Sequence, residues 1–389
     1  MKKFLEFIET LNANVYENLT RRLVREKIPC SLFASNGINQ FNLNIANQLQ
    51  NAGINLRYIV TVDDVSQKSP ENFQFININA LNSLGISKPK FIFINDSIES
   101  TILTNRFVGL GIEPVAIEVS GSTRRIADFY FSYVRDLFDV YNSFIDEESR
   151  DSYLGFILSK VTRRLSYCRF EKSDQYVLNG FIPQPGEIVI DGGSCDGKTA
   201  AMFVDFGCRV IAFEMDHENF KLASKLAEEK NFTVENLGLG DEIKEISYIH
   251  NPTNIGGSFV DGANRFNSKM KTQLTTLDWY LREKNLPRID FIKLDTEGAE
   301  LSILKGAVNS IMRFKPKLAI SAYHKLEDVF TLQKFLKSIR PDYEFAFRHF
   351  ESSYDYVPFV FTERILQICE KLNIPRKFSG FGEAILFAR

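Results

Sequence analysis

The chain has no excess of charge of one sign, no cysteine motif and no long apolar run, and each absence removes a class of function. Lys and Arg number 47 against 49 Asp and Glu, a formal net charge of −2. That balance supplies no electrostatic footprint for a nucleic acid or an anionic membrane, so neither is expected as a partner. The five cysteines (Cys30, Cys168, Cys195, Cys208 and Cys369) are scattered, odd in number and without a C-x-x-C pair. They specify neither a disulfide framework nor a zinc site and fit a reducing compartment. No apolar stretch reaches the length of a membrane span. The first residues, MKKFLEFIETLNANVYENLTRRLV, are basic but lack an apolar centre and a small-residue cleavage site, so a signal peptide is not expected. A cytoplasmic protein is the expectation. Histidine is also scarce, with four in 389 residues, which narrows the search for a base.

What is present reads as two αβ regions. The length exceeds that of one ordinary core, so two domains are expected. Phe4, Leu5, Ile8, Leu11, Val15 and Leu19 follow helical spacing and predict an amphipathic opening helix. Strands follow in CSLFAS, LRYIVTV, KFIFIND and PVAIEV, with a helix from Asn39 to Asn51 closed by Gly53. Strands alternating with helices predict a parallel sheet covered on both faces, here a small Rossmann-like domain over residues 1–123. Residues 124–173 turn helical and are expected to form a connector. The Pro183-Gln184-Pro185-Gly186 turn then precedes a second αβ region over residues 174–389. Its strands are expected in EIVID, RVIAFE, FTVENLGLGD, IDFIKLD and KLAISAY, with a helix in ELSILKGAVNSIM, EFAFRHF and EAILFAR as antiparallel strands and a hairpin near Asn254 to Gly257.

The stretch IVIDGGSCDG carries the most chemistry. A buried strand runs into Asp191 and Gly192, and a loop of Gly193, Ser194, Asp196 and Gly197 opens the next helix. In an open α/β sheet such a loop lies at the carboxyl end of a strand, where ligands bind. Asp191 suits the cationic amino group of a methionine moiety, directly or through water. A nicotinamide fingerprint would place glycine at Ser194, and a carboxylate beside a pyrophosphate is unfavourable. Glu214, ending RVIAFE, can accept from both ribose hydroxyls, with Met215 beside it. Leu239, Gly240 and Asp241 follow the third strand, where Asp241 could accept from an adenine amino group. Tyr176, just before the first strand of this region, could reach over the cofactor. S-adenosylmethionine is the cofactor this pattern predicts; an Asx or N-cap role is the other reading of each acid.

Several ordered stretches resemble one family. IDFIKLDTEGAELSILKGA (289–307), GLGD, TTLDWYL (275–281), PKLAISAYHK (316–325) and FRHF (347–350) are similar to motifs of FkbM-family methyltransferases. The resemblance spans most of residues 174–389. It implies a doubly wound, class I methyltransferase domain and O-methylation of a hydroxyl on a sugar, glycan or secondary metabolite, as in polysaccharide biosynthesis. Residues 1–123 resemble an accessory Rossmann-like domain that precedes some such domains. Its glycine loop is reduced here to Gly37 in ASNGINQFN, which favours a scaffold or dimerisation role, and with it a homodimer, over nucleotide binding. A non-catalytic sugar- or nucleotide-binding assembly module on the same fold is the alternative.

An aliphatic hydroxyl needs a proton acceptor before it can take a methyl group. His324 follows the apolar strand KLAISAY and is the expected base. Asp295, at the end of IDFIKLD, is expected beside it, to orient the acceptor or contact the methionine moiety. Glu297 and Glu300 stand at a helix start, where the helix dipole favours acids without any catalytic role. Asp295, Glu297 and His324 together are a set that suits magnesium or manganese, but no compact ligand motif accompanies them and no metal is assigned. Phe266, Trp279 and Tyr280 are candidates for an acceptor pocket.

Overall fold

The computed structural model describes residues 2–13, 15–34, 39–63, 73–94, 103–117, 122–250, 259–260, 270–351, 367, 370–372 and 382–389. The loop at Gly37, the hairpin expected at Asn254 to Gly257 and Phe266 lie outside them. The chain divides into two compact units, Met1–Val134 with Leu154–Phe170 and Glu351–Gly382, and Arg135–Tyr153 with Glu171–Phe350 and Glu383–Arg389. The helices expected as a connector, Ser122–Ser132, Val134–Ser143 and Glu147–Thr162, are shared between those two units.

The first unit is a five-stranded parallel sheet. Its strands are β1 (Cys30–Phe33), β2 (Leu56–Thr61), β3 (Gln74–Asn77), β4 (Phe91–Ile94) and β5 (Glu113–Ala116), in the order β3-β2-β1-β4-β5. Phe33, Val60, Ile92 and Phe107 belong to one apolar cluster, and Leu32, Ile59, Phe93 and Leu23 to another. Successive strand residues thus enter different clusters, as the alternation of side chains across a pleated strand requires. The opening amphipathic stretch forms two helices, Lys2–Asn12 and Val15–Arg25. The first buries Phe4, Phe7 and Leu11, spaced three and four apart.

The second unit is built on an eight-stranded sheet. Chain order gives β6 (Phe170–Glu171), β7 (Ile188–Gly192), β8 (Arg209–Phe213), β9 (Thr233–Glu235), β10 (Gly238–Leu239), β11 (Lys244–Ile249), β12 (Phe259–Val260), β13 (Met270–Thr275), β14 (Phe291–Leu294), β15 (Lys317–Ser321), β16 (Phe345–Phe350) and β17 (Glu383–Ala388). The large sheet runs β6-β16-β17-β15-β14-β7-β8-β9, and β10-β13-β11-β12 form a smaller one. From β15 through β9 the large sheet is parallel, and β17 lies antiparallel to both β15 and β16. The fold is therefore the mixed, doubly wound α/β class expected, with its two last strands antiparallel.

Two expected elements are split. FTVENLGLGD gives β9 and β10 in different sheets rather than one strand. ELSILKGAVNSIM gives helices Glu300–Lys305 and Val308–Phe314, parted at Gly306. A Cβ on Gly306 would lie 2.0 Å from the Gly240 carbonyl oxygen, so the break seats this helix pair against the end of β10. Arg348 on β16 is buried and pairs with Asp146, Glu148 and Glu171, at 3.0, 3.3 and 3.2 Å. The FRHF motif thus anchors the sheet. Among the described residues no helix is long and apolar enough to cross a membrane.

Candidate active site

The loop after β7 is shaped by what surrounds it. Gly193 and Ser194 both donate their backbone N–H to the Phe213 carbonyl, at 3.0 and 3.1 Å, which ties the loop to the end of β8. Gly193 has φ +77°, and a Cβ there would sit 1.8 Å from the Asp295 carbonyl oxygen. Gly197 has φ +84° and opens the helix Lys198–Asp205 against Ala223 and Phe232. Both positions need a backbone that only glycine adopts without cost, and Gly193 also needs the missing side chain.

Glu214 follows β8 and is held from two sides. Its Oε2 accepts from Cys195 N and its Oε1 from Asp216 N, each at 2.8 Å. Burial pushes the carboxyl up to about 7, against the lowering by those two N–H groups. A cavity of about 590 Å³ opens beside it at the carboxyl ends of β7, β8, β10 and β14. Of the residues expected at the cofactor, Gly193, Glu214, Met215, Leu239, Asp241 and Asp295 line this cavity. Tyr176, Asp191, Gly192, Ser194, Asp196, Gly197 and Gly240 stand behind it or in the loop's frame. Asp196 pairs with Lys198 at 2.7 Å.

Asp191 has a partner that the sequence reading did not foresee. Lys293 lies opposite it in the β7–β14 register, and its Nζ sits 2.9 Å from Asp191 Oδ1 and donates to the Gly193 carbonyl at 2.8 Å. Both side chains are buried, at 2% and 0% exposure. Burial alone would lower the Lys293 pKa, but the charges of Asp191 and Asp295 raise it and keep the ammonium protonated. Asp191 Oδ2 receives no hydrogen bond from the protein, nor does the buried Ser194 hydroxyl.

At the other end of the cavity, Asp295 follows β14 and accepts from Tyr176 Oη at 2.6 Å and from Tyr323 Oη at 3.4 Å. His324 follows β15. Its Nδ1 lies 2.9 Å from Glu300 Oε1, and its Nε2 lies 3.4 Å from Asp295 Oδ1 and 3.7 Å from Glu297 Oε2. Glu300 Oε1 also accepts from Thr296 N at 2.8 Å. Burial by itself would lower the His324 pKa; the Glu300 hydrogen bond and the three carboxylates overrule it and raise it to about 9. Burial raises Glu297, which lines the cavity, to about 7. An imidazole that is already protonated does not accept a proton readily, and of the acids around it Asp295 and Glu297 line the cavity.

Glu297 and Glu300 were read as helix-start acids. The signal that could have singled them out is their spacing, two and five residues beyond Asp295, in front of a histidine at the next strand end. Trp279 is half-exposed near the start of the helix Leu277–Glu283, whose N-cap Thr276 accepts from Trp279 N at 3.1 Å. Tyr280 is buried and donates to Glu235 at 2.7 Å. Neither lines the cavity.

A sheet that is parallel from β9 to β15 and carries an antiparallel β17 between β15 and β16, with a glycine turn after β7, an acid after β8 and a cavity across their carboxyl ends, is the class I methyltransferase fold. Residues 191–358 match the family model described as the Methyltransferase FkbM domain. Over the whole length the chain resembles the crystal structure of methyltransferase FkbM from Methylobacillus flagellatus KT. The TM-score is 0.59 at 18% identity, covering 100% of this chain and 98% of that one. A precorrin-6y C5,15-methyltransferase from Geobacter metallireducens GS-15 aligns with TM-score 0.31 and 11% identity, over 54% of this chain and 82% of that one. No curated protein matches the sequence.

Proposed function

We propose that the protein is an S-adenosylmethionine-dependent O-methyltransferase whose acceptor is a hydroxyl of a sugar, glycan or secondary metabolite. The observation that carries this reading is a single cavity with a nucleoside-type acid, Glu214, on one wall and the Asp295–Glu297 pair on another. The residues present fit the cofactor. Glu214 offers a buried carboxylate to the ribose hydroxyls, Asp241 and the apolar Met215 and Leu239 suit the adenine, and Asp191 Oδ2, a buried acceptor without a donor behind the cavity wall, suits the methionine amino group through a water. Lys293 offsets the Asp191 charge, so that contact is weaker than a free carboxylate would make it. When bound, S-adenosylmethionine supplies a methyl group on a positively charged sulfur.

The remaining chemistry belongs to the chain. As the oxygen–carbon bond forms and the carbon–sulfur bond breaks, the hydroxyl proton must leave to a group at the cavity wall. Asp295 and Glu297 face that space, and His324 stands behind them as the residue that fixes their charge. Tyr176 holds Asp295 from the side away from His324. Aligning the acceptor oxygen with the methyl group removes much of the entropic barrier, which is the work of the cavity walls. Residues 1–123 complete the proposal as a scaffold or self-association module.

The acceptor class is tested by mass spectrometry of surface glycans from cells with and without the gene. The proposal expects one methyl increment per modified residue to vanish with the gene and return on complementation. Identical glycan spectra, together with no methylation of added sugar substrates, would remove the acceptor assignment.

A further inference from the structure

Behind the cavity wall lies a group of charges that cofactor binding does not use. Glu300 is fully buried, and its bond to His324 Nδ1 fixes the ring. With Nδ1 turned to Glu300, Nε2 points at Asp295 Oδ1 and Glu297 Oε2, at 3.4 and 3.7 Å. Neither oxygen is hydrogen-bonded to Nε2. The His324 side chain is 8% exposed, yet its Nε2 has no hydrogen-bond partner, and neither has Glu300 Oε2.

The charge balance points the same way. With all three carboxylates ionised they carry −3, and the ring, even with a proton on both nitrogens, carries +1, which leaves −2. The nearby ammonium groups make their direct contacts elsewhere: Lys293, which feels the Asp295 charge, pairs with Asp191 and the Gly193 carbonyl, and Lys325 with the Gly298 carbonyl. An uncompensated, largely buried charge is costly to hold. Ligand atoms of Asp295, Glu300 and His324 lie within 4.8 Å of one another. An imidazole nitrogen beside two carboxylate oxygens, with a further carboxylate gripping the far ring nitrogen, is the arrangement by which proteins orient a metal-binding histidine.

We propose that Asp295, Glu297 and His324 Nε2 bind one divalent cation of the manganese–magnesium class, with Glu300 as the positioning residue. Oxygen-rich sites with a single imidazole suit those ions better than zinc or copper, which favour nitrogen and sulfur. Asp295 and Glu297 line the cavity, so the cation has open positions toward it. Resting on the function proposed above, those positions receive the acceptor hydroxyl. A coordinated hydroxyl is more acidic than a free one, so it gives up its proton to the cavity wall more readily as the oxygen attacks.

The test uses the full-length chain, stripped with chelator and titrated with Mn²⁺ while the free-ion electron paramagnetic resonance signal is followed. One Mn²⁺ should be taken up per chain, and Mg²⁺ should compete for it. Glu300→Gln should weaken binding by about 10- to 100-fold, and Glu297→Gln and His324→Ala by about 10-fold or more. Glu297 is half-exposed, so its variant is the one least dependent on folding, and calorimetric binding of S-adenosylhomocysteine verifies every variant. A wild-type chain that binds S-adenosylhomocysteine but leaves the Mn²⁺ signal unchanged overturns the cation site. So does equal Mn²⁺ uptake by Glu297→Gln and wild type. Mn²⁺ uptake without S-adenosylhomocysteine binding would uphold the site and refute the function instead.

Discussion

Replacing Lys293 with Met removes one charge of a pair buried at 2% and 0% exposure while keeping most of the side-chain volume. At 2.9 Å and an effective dielectric constant near 20, the gross attraction in that pair is about 6 kcal/mol. Desolvation of both ions takes back much of it, so the net worth of the pair is small. Removing one partner is different, because it leaves Asp191 buried and uncompensated and takes the donor from the Gly193 carbonyl. Lys293→Met should therefore cost about 3–5 kcal/mol. In a unit of this size that lowers the melting temperature by roughly 10 °C, at about 2–4 °C per kcal/mol. Adding Asp191→Asn removes the orphaned charge, and the double variant should recover more than half of the loss. Urea unfolding followed by circular dichroism measures all three proteins. A single variant within about 1 kcal/mol of wild type, below the ordinary cost of a buried orphan charge, would refute the reasoning. A double variant no more stable than Lys293→Met would refute it equally.

Three further outcomes follow from the same geometry. The Glu214 carboxyl titrates near pH 7, and the ribose hydroxyls need its ionised form. Affinity for S-adenosylmethionine should thus be full above pH 7 and fall as pH drops through it, by up to about 10-fold per unit; a flat profile from pH 5.5 to 8.5 would reject Glu214 as the acceptor. His324→Ala should keep cofactor affinity and lose about 10- to 100-fold in methyl transfer, the usual loss when a residue that orients the reacting groups is removed, measured with labelled methyl donor; wild-type turnover would clear His324 of any part in the reaction. Gly193→Ala meets both a left-handed backbone and the Asp295 carbonyl, and should destabilise the protein by more than about 2 kcal/mol, read by thermal melting. An unchanged melting point would show that the loop yields more easily than its packing indicates.

The contrast between legible and hidden features is physical. CSLFAS, LRYIVTV, IDFIKLD and KLAISAY announce β1, β2, β14 and β15 because a strand buried on both faces must be continuously apolar. β3, with the sequence QFIN, is short and half polar at its edge position and gives no such signal. The break at Gly306 depends on contact with Gly240, 66 residues earlier, and local periodicity cannot carry that. Glu214 and Gly193 were legible because their chemistry follows from standing at a strand's carboxyl end. Lys293 was hidden inside an apolar run, since its partner Asp191 is a cross-strand neighbour about a hundred residues away. Glu300 was hidden for the opposite reason. A helix start explains an acid so readily that the sequence offers no cause to look for the histidine it grips.

The central claim is the cofactor, and calorimetric titration of the purified full-length chain tests it most directly. The account predicts saturable, one-to-one binding of S-adenosylmethionine, weakened in both Glu214→Ala and Asp191→Ala, and no heat with NAD. Saturable NAD binding, or S-adenosylmethionine affinity untouched by both substitutions, would contradict it.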